Sequence, residues 1–136
     1  MAYFPDFGKE TAVVSGPLIR AVGWLSSTQS FNQGPVPAEF SDRLELICER
    51  WDDGVEALGW PVTAGPHTCE LCGDFHAAGS VGVPGDGILF VAPEMVAHYV
   101  DEHGYLPPAD FVEAVLACPI PGTEEYELAV APFIES

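Results

Sequence analysis

The stretch HTCELCG, residues 67–73, sets Cys69 and Cys72 two residues apart, with His67 just before them and Gly73 just after. A turn of this form lets two thiolates converge on one ion. Its backbone N–H groups point at the sulfurs, and the glycine takes the positive φ that the turn demands. Three roles compete for such a pair: metal ligand, redox couple and disulfide. The opening residues, MAYFPDFGKE, lack a basic segment followed by an apolar one, so no export signal and a cytoplasmic setting are expected. Four cysteines in that setting are expected as thiols or metal ligands.

Metal binding needs more donors, and the chain has them. His98 follows Cys72 after 25 residues, and His103 follows His98 after four. Cys69, Cys72, His98 and His103 therefore fit a C-x2-C…H-x4-H set for a zinc ion, with a longer middle gap than a DNA-reading finger. His67 competes, since it can chelate beside Cys69. His76 is the fourth candidate and has no pattern around it. Positions i and i+5 lie about 140° apart on an ideal helix. His98 and His103 both ligate only if the helix tightens or unwinds near its end, and Gly104 is a residue that permits such an end. Otherwise His103 caps the helix C-terminus and His98 is a half-buried histidine bonded to a neighbour.

Two chemical rivals are weaker. Thioredoxin-type pairs place the first cysteine at a helix N-terminus after a strand, whereas Pro66 and Gly73 bracket this motif and no βαβ pattern surrounds it. The run HYVDEH, residues 98–103, resembles a metalloprotease helix with Glu102 as general base. That arrangement needs its histidines at i and i+4, and a full Cys2His2 shell leaves no position for water.

Outward from the knuckle, apolar periodicity sets the elements. Residues 18–25, LIRAVGWL, read as a strand, and residues 26–37 as a long loop. Phe40, Leu44, Ile47 and Trp51 repeat at helical spacing, with Cys48 beside them as a core thiol. Residues 79–93 read as a hairpin around the turn Pro84 to Gly87. Pro93 suits the first turn of a helix carrying Val96, Tyr99, Val100 and His103 on one face, closed by Gly104. Phe111, Val112, Val115 and Leu116 mark another helix, and Thr123 is the N-cap of a last one with Glu124 and Glu125 in its first turn. Residues 1–17 form an irregular arm. With no linker or repeat, residues 1–136 read as one domain. The fold class expected is α+β: a short antiparallel sheet with three or four helices, pinned by a zinc knuckle.

The net charge of −17, from 21 acids against 4 bases, argues against direct nucleic-acid binding and against anionic membranes. No apolar stretch has the length of a membrane span. The acids are scattered, as in Asp52-Asp53, Asp101-Glu102 and Glu124-Glu125. They suit solubility, a basic protein partner drawn by electrostatic steering, or mimicry of nucleic acid.

The segments AVGWL, GPVPAEF, HTCELCG and GILFVAPEMVAHYVDEHGYLPPADFVEAVLACP together resemble an uncharacterised family of small bacterial proteins of actinobacterial type. The likeness spans roughly residues 18–133. It implies that the HxCxxC and HY-x3-HGY motifs belong together, and it names no substrate. The function expected is a zinc-stabilised, non-enzymatic interaction or regulatory protein, of immunity or inhibitor type, meeting a basic partner. A zinc hydrolase using Glu102 is the alternative, and a nucleic-acid mimic the third reading.

Overall fold

A three-stranded sheet forms the centre of the chain because one segment is apolar throughout. The structure is a computed structural model that describes residues 6–9, 16–25, 30–51, 58, 67–69, 71–73, 76–77 and 79–133, with the backbone alone at 67, 76 and 77. Strand β5 (Leu89–Pro93) is buried along its whole length and lies between β1 (Ile19–Ala21) and β4 (Ser80–Pro84). A strand buried on both faces reads as a continuous apolar run rather than an alternation. β4 and β5 pair antiparallel from Ser80↔Pro93 to Pro84↔Leu89, around the turn closed by Gly85 N–H to the Ile88 carbonyl (2.8 Å).

β1 joins β5 in parallel, Ile19 opposite Leu89 and Ala21 opposite Val91. The sheet is therefore mixed rather than wholly antiparallel. The physical reason is the connection. A parallel neighbour needs a long crossover, and the chain between β1 and β5 is long enough to carry a helix and the knuckle. The pairing is also shorter than the apolar run 18–25 suggests. Val22 still donates to the Val91 carbonyl (3.0 Å), and Trp24 Nε1 donates to the same oxygen (2.9 Å).

Four α-helices lie among the described residues: α1 (Ala38–Glu49), α2 (Val96–His103), α3 (Ala109–Ala117) and α4 (Glu124–Val130), followed by a 3-10 turn at Ala131–Phe133. The α1 stripe of Phe40, Leu44 and Ile47 is buried, with Cys48 beside it and Trp51 half-buried. Phe111 of α3 stands edge-on to both Phe40 (6.2 Å, 78°) and Phe90 of β5 (5.6 Å, 85°), so one ring joins α1, α3 and the sheet. Leu116, expected in that core, is 43% exposed, and Ala114 takes the inward position. Thr123 caps α4 as its residue type predicts, accepting from Tyr126 N–H (3.3 Å). The Tyr126 hydroxyl donates to the Gly82 carbonyl (2.6 Å), which fastens α4 to β4. Pro93 closes β5 instead of opening a helix; two turn residues, Glu94 and Met95, separate it from α2.

The described part of the arm, residues 6–9, is irregular but attached. Phe7 N–H donates to the Ala21 carbonyl (2.7 Å), and Asp6 accepts from Gly23 N–H (3.1 Å) and the Tyr105 hydroxyl (2.7 Å).

Candidate metal centre

The knuckle is the turn of a small hairpin. β2 (His67–Thr68) runs antiparallel to β3 (His76–Ala77), and Cys69, Leu71, Cys72 and Gly73 lie at its tip. Gly73 N–H donates to the Cys69 carbonyl (2.8 Å), and Gly73 has φ +74°, the left-handed region that glycine enters without a Cβ penalty. Backbone N–H groups of Cys72 and Leu71 are directed at the Cys69 sulfur. Those donors stabilise a thiolate. Burial acts more strongly in the other direction and holds the free thiol above its ordinary range. The chain after the turn returns as a strand, so Cys69 has no helix dipole of the thioredoxin kind.

The other two donors come from α2. His98 sits in its second half-turn and His103 is its last residue, followed by Gly104 at φ +65°. The helix end is held from outside. Gln33 donates to the His103 carbonyl (3.0 Å), and Gly34 N–H donates to the Gly104 carbonyl (3.1 Å). With no further turn beyond His103, its imidazole swings toward that of His98. The Nε2 atoms meet at 3.2 Å, with the rings at 79° and their centroids 4.9 Å apart. Side-chain reach at the helix end thus closes the wide angle between positions i and i+5.

The hairpin tip and α2 meet through these side chains. Cys69 Sγ is 3.5 Å from His103 Nε2, and Cys72 Sγ is 3.4 Å from His98 Nε2. All four ligand atoms lie within 4.8 Å of one another, a cluster compatible with binding a metal ion. Cys69 is buried, both histidines are half-buried, and Cys72 is exposed. Burial, and then the neighbouring His103, push the His98 pKa below its ordinary value, which favours the neutral imidazole that a metal requires. The side chains of His67 and His76, the competing donors, lie outside the described residues.

A cleft of about 820 Å³ opens beside the cluster, with Cys72, His98 and His103 on its wall. Five carboxylates also line it: Glu45 and Glu49 of α1, Glu94, and Asp101 and Glu102 of α2. Glu45 of α1 and Asp101 of α2 meet on the cleft wall. The hydrogen bond with Asp101 and then its charge raise the Glu45 pKa. Desolvation raises Glu94, partly offset by hydrogen bonds involving Gly79 and Trp51. Glu45 and Glu49 are an i, i+4 pair legible as an acidic helix face. Their place opposite Asp101 depends on how α1 packs on α2, which no local pattern encodes.

The like-charge pair gives a signed prediction. Because Asp101 raises Glu45 in the folded chain, neutral pH imposes a charge that the fold disfavours. Glu45→Gln is therefore expected to raise stability slightly at pH 7, by no more than about 0.5 kcal/mol, since solvent screens an exposed pair. The gain should vanish as pH falls below about 4, where the wild-type carboxyl is protonated too. Paired melting curves across pH check it, and a loss of stability at pH 7 would contradict it.

The remaining cysteines do different work. Cys48 and Cys118 are buried, and desolvation pushes both thiols up to about 12. They are neutral core thiols, as expected for Cys48, and not nucleophiles.

Residues 2–116 match the family described as a domain of unknown function, DUF7919. The chain belongs to that family. The match contains the hairpin tip and all of α2, so the whole Cys2His2 cluster lies inside the DUF7919 region. No curated protein and no solved structure matches the chain. Among the described residues of this DUF7919 member, no helix is long and apolar enough to cross a membrane.

Proposed function

We infer that Cys69, Cys72, His98 and His103 hold a structural zinc ion, and that the protein is a zinc-stabilised interaction or regulatory module for a basic protein partner. The observation that carries the zinc reading is the shape of the cluster. Ordinary Zn–S and Zn–N bonds at tetrahedral angles put two nitrogens about 3.3 Å apart and a nitrogen and a sulfur about 3.6 Å apart. The cluster has 3.2 Å for the nitrogen pair and 3.4 and 3.5 Å for two nitrogen–sulfur pairs. Two soft thiolates and two imidazoles suit zinc and complete its shell. Bound there, the ion joins the hairpin tip to α2, two segments separated in the chain by β3, β4 and β5.

The partner reading rests on charge. A cleft with five carboxylates on a chain of net charge −17 favours cationic ligands. Titration with a lysine-rich peptide is expected to show binding that weakens as salt is raised. Equal binding of an acidic peptide of the same length would count against a basic partner.

One observation keeps the hydrolase reading in play: Glu102 lines the same cleft as three of the four donors. The two readings part at Glu102→Gln. As an exposed side chain outside the donor set, it is expected to change stability by no more than about 0.5 kcal/mol and leave metal content intact. A general base would behave otherwise, with hydrolytic turnover falling by about 10²–10⁴-fold in a normally folded variant. A hydrolase screen of both proteins on ester and peptide substrates decides it; turnover that Glu102→Gln abolishes would overturn the structural reading.

A further inference from the structure

We propose that Cys69 and Cys72 are a peroxide-operated release for the metal: oxidation joins the two sulfurs as a disulfide and frees the hairpin tip from α2. This rests on the zinc reading above and adds a regulation to it. Three features carry it. The two sulfurs lie within 4.8 Å of each other, inside one turn, so they reach one another without moving the sheet. They differ in access: Cys72 is exposed on the cleft wall, whereas Cys69 is fully buried. Finally, the other two thiols are buried: Cys118 lies in the core, and Cys48, although it borders the cleft, is 6% exposed where Cys72 is open to solvent.

That asymmetry assigns an order. The Cys72 thiolate attacks one oxygen of hydrogen peroxide, the O–O bond breaks, hydroxide leaves, and Cys72 becomes a sulfenic acid. The Cys69 sulfur, already beside it, attacks the Cys72 sulfur and expels a second hydroxide, which closes the disulfide. The sulfur pair loses two electrons, the peroxide oxygens gain them, and two protons from solvent turn both hydroxides into water. A disulfide sulfur is a poor metal donor, so two of the four ligands are withdrawn together. His98 and His103 then remain as a pair on one helix end, which is too few to retain the ion.

The cleft selects the oxidant. Glu45, Glu49, Asp101 and Glu102 line the same cleft as Cys72 and give it negative charge. An uncharged hydroperoxide enters without penalty, whereas an anionic oxidant such as oxidised glutathione is repelled.

The test uses the full chain loaded with one equivalent of zinc, with a colour-forming chelator present to report release. Hydrogen peroxide is expected to release one zinc per chain as two of the four thiols are lost. Peptide mass spectrometry should find Cys69 and Cys72 linked, with Cys48 and Cys118 still alkylated. Dithiothreitol with zinc should restore the starting state. Oxidised glutathione at equal concentration should act at least about tenfold more slowly. A Glu45→Gln/Glu49→Gln variant should narrow that gap. Zinc that is retained through peroxide treatment, or released with Cys72 as a sulfinic acid and no link to Cys69, would overturn the switch alone. A chain that takes up no zinc at the loading step would overturn the metal reading, and the switch with it.

Discussion

Cys72→Ser is expected to abolish stoichiometric zinc binding and to lower Tm by roughly 12–20 °C. The size follows from linkage. A ligand present at about 1,000 times its Kd stabilises the folded chain by about 4 kcal/mol, and each kcal/mol moves Tm by about 3–5 °C in a domain of this length. Structural zinc binds small peptides with apparent energies of about 10–16 kcal/mol. The sheet and helices here bring their own buried core, so a smaller share appears as stability. Position 72 is the informative one because Cys72 is exposed. Serine there removes a sulfur and little packing, so a fall in Tm reports the lost ligand. At Cys69, which is fully buried, the same change would mix ligand loss with a disturbed core. A strong chelator should bring the wild-type Tm down to that of the variant and leave the variant unchanged.

Phe111→Ala is expected to cost about 3–5 kcal/mol, the usual penalty for emptying a buried phenylalanine site. Phe111 is fully buried, and its ring touches both Phe40 and Phe90 edge-on. Its loss opens a void where α1, α3 and β5 meet, and each aromatic contact adds about 0.5–1.5 kcal/mol beyond burial. Denaturant unfolding reads the change. Folded Phe111→Ala should still bind one zinc, because neither the hairpin tip nor α2 supplies Phe40, Phe90 or Phe111. The two substitutions therefore separate the core from the staple. A cost below about 1 kcal/mol would mean that this ring does not join the layers.

Much of the local structure was legible in the sequence, for identifiable reasons. Phe40, Leu44 and Ile47 share a face at helical spacing, and all are buried. Gly104 and Thr123 are the residue types that end and begin helices, and they do so here. The apolar pieces around Pro84 to Gly87 form the expected hairpin. Pairing between distant segments was less legible. Nothing in Ile19–Ala21 states that it lies parallel to Leu89–Val91, since strand direction is settled by the crossover and not by the strand. Pro93 fits a helix start and a strand end equally well, and the register with Ser80 decides for the strand. Leu116 shares an apolar type with Val115 but not its direction on α3.

The cluster of Cys69, Cys72, His98 and His103 could be assembled from spacing alone, except at one step. An ideal helix sets His98 and His103 wide apart, and only the helix end at Gly104, held by Gln33 and Gly34, makes their convergence intelligible. The acid-lined cleft had no comparable signal. Glu45 and Glu49 look like an ordinary solvated helix face until α2 brings Asp101 opposite them.

The most direct test of the central claim is metal analysis joined to X-ray absorption on the protein purified without added metal. The expected result is about one zinc per chain, with two sulfur neighbours at about 2.3 Å and two nitrogen neighbours at about 2.0–2.1 Å. A chain that carries no zinc and takes none up, or a zinc with fewer than two sulfur neighbours, would contradict it.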